Sequence, residues 1–186
     1  MIIRHMAKKY EFTEEVHPIS PGLKRIRALI DIPIYGIRVG DFGGWIEGEH
    51  NLSHDGYCWV NIHAEVYSKA RVLDNALVYG SAVITDAARV SGHARVFDQA
   101  TVGGMAVIGG NAQIYGTAYC TGSVILCGKS VVVRGYYDQG AFSDKVVLLD
   151  NIAVIYEPPT GLLLSSNEAL SLALLNDTER PTQKYG

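Results

Sequence analysis

Along the middle of the chain, small and apolar residues alternate with polar ones for a few positions, break for two, and begin again. The period is six. Ala fills one column ten times running, at Ala64, Ala70, Ala76, Ala82, Ala88, Ala94, Ala100, Ala106, Ala112 and Ala118. Cys58 precedes this column, and Val124 and Ser130 continue it. Two residues after each comes an apolar partner: Val60, Val66, Val72, Val78, Ile84, Val90, Val96, Val102, Ile108, Ile114, Cys120, Leu126 and Val132. A 3.6-residue helix would scatter such a repeat around its circumference and bury no single face. The alternation is that of a strand, with both columns pointing to one side. Each break opens with Ser68, Asp74, Gly80, Asp86, Gly92, Asp98, Gly104, Gly110, Gly116, Gly122 or Gly128. Gly and Asp tolerate positive φ in turns. Every hexad is therefore predicted to be one short strand and one corner. Such a unit cannot bury its inner face alone, so successive coils stack and pair their strands at about 4.8 Å.

The apolar-x-x-x-Ala-x hexad resembles the hexapeptide-repeat, left-handed parallel β-helix superfamily. The likeness covers residues 58–135 and extends more weakly upstream through Ile46 and Leu52. It implies a triangular coil of three hexads, about 18 residues, and about five coils. The left hand comes from the resemblance alone, because the rule for parallel crossovers favours the opposite sense. A narrower likeness lies in Gly43-Gly44-Trp45-Ile46-Glu47, Asn51-Leu52-Ser53-His54 and Cys58-Trp59-Val60. These segments are similar to the YdcK-like β-solenoid proteins of enterobacteria and their prophages, often labelled transferases from the repeat alone.

The expected fold is thus all-β: a left-handed parallel β-helix over 46–135, an N-terminal β cap over 1–45, and a capping region over 136–186. In the cap, 8–12 and 23–30 read as strands separated by a turn region at Pro18 and Pro21. Their role is to cover the first coil, whose strand edges would otherwise be unpaired. Trp45 and Trp59 are assigned to the cap core. After Gly135 the hexad fails, and 145–149 with 152–156 read as a hairpin around Asp150-Asn151. Ser165 to Glu168 has the form of a capping box before a short apolar helix over 169–175.

Composition narrows the classes. Apolar residues are 48% and charged residues 19% of 186, which supports a packed core. A net charge of −3 gives no basic excess for nucleic acid. No apolar run reaches the roughly 18 residues of a membrane span, and the N-terminus has no signal-peptide stretch, so a cytoplasmic location is expected. Three cysteines, an odd number without metal-ligand spacing, read as reduced thiols.

Sorting outward residues by an 18-residue coil gives three faces. The first carries Trp59, Leu77, Arg95, Gln113 and Val131, beside Asn61, Tyr79, Phe97, Tyr115 and Val133. It is the most apolar, and Leu77, Tyr79, Arg95, Phe97, Tyr115, Val131 and Val133 are the expected interface. A homo-oligomer is expected, with the resemblance making a trimer the first guess. A host protein is the second candidate partner, and a counter-defence role rests on the prophage likeness alone. Enzymes of the superfamily use a His as general base in acyl transfer from acyl-CoA. His63 and His93 are the corresponding candidates here, in the alternative reading as a trimeric acyltransferase. His93 falls in a corner column between Asn75 and Asn111, which suits a turn residue. His54 falls at an inward position. Those enzymes also carry an extended loop that breaks the hexads, and 58–135 has none, so the preferred reading is a binding or scaffold protein without a cofactor. Arg71 and Arg89, on successive coils, form a weak anion-binding candidate. Asp74, Asp86 and Asp98 fall at different corners and give no metal cluster.

Overall fold

The computed structural model describes residues 8–143, 146–150 and 152–155. The expected helix over 169–175 lies outside the described residues. Most of the described residues wind into a three-sided parallel β-solenoid. Its first face stacks Trp59–Val60, Leu77–Val78, Arg95–Val96, the start of Gln113–Cys120, the start of Val131–Tyr137, and Val146–Leu149. Its second stacks Arg71–Val72, Arg89–Val90, Val107–Ile108, Ile125–Leu126 and Ala141–Phe142, with Leu52 bridged to Val72 beneath them. Its third stacks Phe42–Ile46, Glu65–Val66, Val83–Ile84, Thr101–Val102 and the ends of the two long strands.

Both inner columns are sealed. Every Ala from Ala64 to Ala112 and every apolar partner from Val60 to Val132 has no solvent exposure. Burying each Val stabilises the coil by roughly 1.5–3 kcal/mol relative to leaving it in water. The corners explain the Ala. At most of them the Ala N–H closes a turn onto the carbonyl three residues back, as in Ala76 to Leu73 at 3.1 Å and Ala88 to Thr85 at 3.2 Å. All eleven residues expected to open corners have positive φ, from 57° at Ser68 to 67° at Gly80.

The solenoid is longer than the about five coils expected, because each face carries six layers. Parallel pairing continues past Gly135, with Tyr119 beside Tyr136, Ile125 beside Ala141 and Val131 beside Val147. These spacings fall one or two residues short of 18, so the period is lost while the stacking persists. Val146–Leu149 then turns at Asp150 (φ 50°) into Ile152–Ile155 as an antiparallel hairpin, as expected.

At the other end, β1 (Tyr10–Val16), β2 (Lys24–Ala28) and β3 (Phe42–Ile46) form an antiparallel sheet, and β3 pairs in parallel with Glu65–Val66. The cap thus grows directly out of the third face. Trp59 is fully buried, whereas Trp45 is half-buried under the His17 ring, 4.9 Å away edge-on.

Candidate functional site

The first face has the densest aromatic surface. Trp59, Leu77, Arg95, Gln113 and Val131 are in register, one per layer. Beside them Tyr79 and Phe97 stack at 4.7 Å and 6° between ring planes, and Phe97 and Tyr115 at 4.8 Å and 14°. The one-layer rise of the backbone sets both spacings. Both faces of the Phe97 ring are consumed within the ladder, and Tyr79 and Tyr115 each give it one face. Stacking of a base or sugar on the inner ring is thereby blocked. Burial raises the phenol pKa of Tyr79 and of Tyr115, so both hydroxyls remain donors at neutral pH. Leu77, Val131 and Val133 are half-buried around the ladder and Arg95 is exposed. The Tyr35 hydroxyl donates to the Asn75 carbonyl at the adjoining corner, so the cap reaches the margin of this face.

The candidate histidines are not brought together. His63 and His93 sit at different corners, both exposed, and neither ring has a hydrogen-bonding partner among the described residues. The His93 backbone N–H donates to the Gly110 carbonyl at 2.7 Å, as Asn75 and Asn111 do one layer below and above it in that column. A shallow groove of about 450 Å³ runs along the corner lined by Gly80, Ser81, Asp98, Gln99, Gly116 and Thr117. His63 lies outside its lining.

Arg71 and Arg89 are neighbours across one layer, exposed and without an ion pair among the described residues. On the same face Val107 and Ile125 are 39% and 43% exposed, so its apolar half lies towards the C-terminal coils. The three corner aspartates have a structural task. Asp74, Asp86 and Asp98 each accept the backbone N–H of the glycine one layer above, Gly92, Gly104 and Gly116, at 2.8–3.1 Å.

A second constellation, at the lower end of the solenoid, was not read from the sequence as a unit. In the coils the N–H groups of the outward residues donate upward, as from Leu77 to Ala94 and from Tyr79 to Val96, both at 3.0 Å. The lowest coil therefore presents carbonyls with no coil beneath to bond them. The cap supplies donors. β3 gives the Trp45 N–H to the Ala64 carbonyl at 2.9 Å. The Tyr10 hydroxyl donates to the Leu52 carbonyl at 2.9 Å. The fully buried Lys9 amine reaches the Asp55 and Gly56 carbonyls at 3.4 Å and the Cys58 sulfur at 3.1 Å. In its charged form Lys offers three donors and no acceptor, which suits the carbonyls at this end. His54 stacks on Tyr10 at 4.4 Å and its Nδ1 accepts the Lys9 backbone N–H at 3.1 Å. The available signal was Cys58 itself, a larger residue at the foot of an Ala column.

The Gly43-Gly44 motif has a packing cause. A Cβ on Gly43 would lie 2.6 Å from Ile26 and 2.8 Å from Trp59, and one on Gly44 would lie 2.4 Å from the Ala64 carbonyl. Comparison with protein-family models and with curated proteins gives no match to either. What stands is a parallel β-solenoid; the YdcK-like resemblance rests on its quoted residues. No helix among the described residues is long and apolar enough to cross a membrane.

Proposed function

We propose that the protein is a non-catalytic binding or scaffold module that presents the Tyr79–Phe97–Tyr115 face to a protein surface, first to further copies of itself. The observation that carries this reading is the stacked ladder on a rigid, flat face flanked by Leu77, Val131 and Val133. Such a strip gains about 25 cal/mol for each Å² withdrawn from water. A symmetric oligomer is the simplest way to withdraw it, and the hexapeptide-repeat resemblance favours a trimer. A prophage origin and a host protein partner belong to the same reading through the YdcK-like motif.

Phe97→Glu places a charge at the centre of the ladder. Light scattering after size exclusion should show wild-type oligomers and variant monomers with unchanged circular dichroism. A wild-type monomer would remove self-association from the reading. The acyltransferase alternative requires coenzyme A binding through His63 or His93. Calorimetry at millimolar coenzyme A is expected to show none, and saturable binding would replace the scaffold reading.

A further inference from the structure

The lower end of the solenoid holds an amine against a thiol with both side chains sealed from solvent. Lys9 and Cys58 have no exposure, and Nζ lies 3.1 Å from Sγ. None of the ion pairs among the described residues includes Lys9. Burial lowers the Lys9 pKa against the opposing pull of Cys58, and burial raises the Cys58 thiol against the pull of Lys9. Both shifts favour the neutral pair. In its neutral form, which is the form that reacts, the amine has two N–H donors and one lone pair. The Asp55 and Gly56 carbonyls, each 3.4 Å away, can take the two hydrogens and leave the lone pair for sulfur. Packing does not demand sulfur here, because the same column carries Ala in the coils above.

We propose that Lys9 and Cys58 form a reversible covalent N–S cross-link when a peroxide oxidises the thiol. In the first step the Cys58 sulfur attacks one peroxide oxygen, the O–O bond breaks, and sulfenic acid and one water form. Sulfur loses two electrons to the peroxide. In the second, the Lys9 lone pair attacks sulfur, the S–O bond breaks, and hydroxide leaves with the amine proton as a second water. The product, Cys58 Sγ–Nζ Lys9, has lost two hydrogens. A thiol reductant attacks the same sulfur and restores both side chains. The sulfur lies 3.5 and 3.7 Å from the Ser53 and Asp55 carbonyls, in a loop whose Asp55, Gly56 and Tyr57 are exposed. The bond would bolt the start of the cap to the first coil across 49 residues of chain.

The test uses the full chain carrying Cys120→Val and Cys127→Ser, so that Cys58 is its one thiol. The protein is treated with hydrogen peroxide, then analysed by intact mass and peptide mapping. The expected result is a product two hydrogens lighter, with the Lys9 and Cys58 peptides joined, reversed by dithiothreitol. Cys58→Ala in the same background, which restores the column residue, should give no joined peptide. Sulfinic or sulfonic acid at Cys58 beside an unmodified Lys9 overturns the proposal. So does a Cys58 that remains a thiol through prolonged exposure. Lys9→Met should shift Cys58 to oxygen adducts alone. If that variant does not fold, the map of the lysine-bearing protein decides by itself.

Discussion

Between Cys58 and Val132 the inward side chains are Ala, Cys, Val, Ile and Leu with one Ser, and backbone bonds between coils provide the polar pairing. In the cap and first coil the interior also contains Lys9 and Asn51, both fully buried. The difference follows from position along the axis. A middle coil has a coil on either side, so repetition supplies a donor for each acceptor. The lowest coil has one neighbour, and side chains must supply what repetition cannot. Asn51 shows the principle, its Nδ2 donating to the Ser68 and Ala70 carbonyls at 3.1 and 2.9 Å. Coils are therefore constrained by size and the cap by hydrogen-bonding capacity, which different substitutions will expose.

The largest effect is expected from adding volume in the coils. Ala94 has no exposure, and its backbone is bonded to Leu77 and Ser91. Ala94→Leu should cost about 3 kcal/mol, the upper end for overpacking, because stacked coils cannot part at one point. Arg95→Leu, one residue on and facing out, should change stability by less than about 0.5 kcal/mol. Urea melts of the two variants check this, and a harmless Ala94→Leu would contradict the tight inner wall.

This asymmetry also explains what was legible in advance. The columns and the corner residues could be read because the same contact recurs every six residues, so Ala94 is identified by Ala76 and Ala112 as much as by itself. The last layer was missed because Tyr136, Ala141 and Val147 keep the stacking after losing the spacing. The aromatic ladder was legible because it is another column. The Lys9 contact was not, because it joins residues 49 apart that share no repeat. Nor could the period show that the His63 and His93 rings lack partners among the described residues, since that depends on side chains outside their columns.

A smaller effect is expected at the corners. Asp98 combines φ 58° with a carboxylate that accepts the Gly116 N–H at 3.1 Å. Asp98→Ala keeps the left-handed strain and loses the acceptor, and should cost about 1–2 kcal/mol. Asp98→Gly loses the acceptor but relieves the strain, so it should lie closer to wild type. Denaturant midpoints should rank wild type, then Gly, then Ala. Equal losses in both variants would show that the carboxylate alone matters.

The smallest effect concerns pH and belongs to the cap. His54 has its Nδ1 committed to the Lys9 N–H, so the neutral ring carries its proton on Nε2, which is buried without a partner among the described residues. Desolvation is the largest cause holding its pKa below 6.5. The Lys8 and Lys9 charges act in the same direction, while Glu49 and Asp55 oppose them. The unfolded chain therefore binds this proton at a higher pH than the folded one. The His54 contribution is intact above pH 6.5 and declines as pH falls from there through the folded value. The cost should be below about 1 kcal/mol, since the ring is only part-buried. Lys9, also depressed, acts with the same sign, so its contribution should rise as pH approaches 10.5. Melting temperatures measured from pH 7.5 to 5 should fall more steeply for wild type than for His54→Gln, which cannot take up the proton. Parallel curves would show that His54 does not carry the acid sensitivity and leave it as a neutral stacking partner for Tyr10.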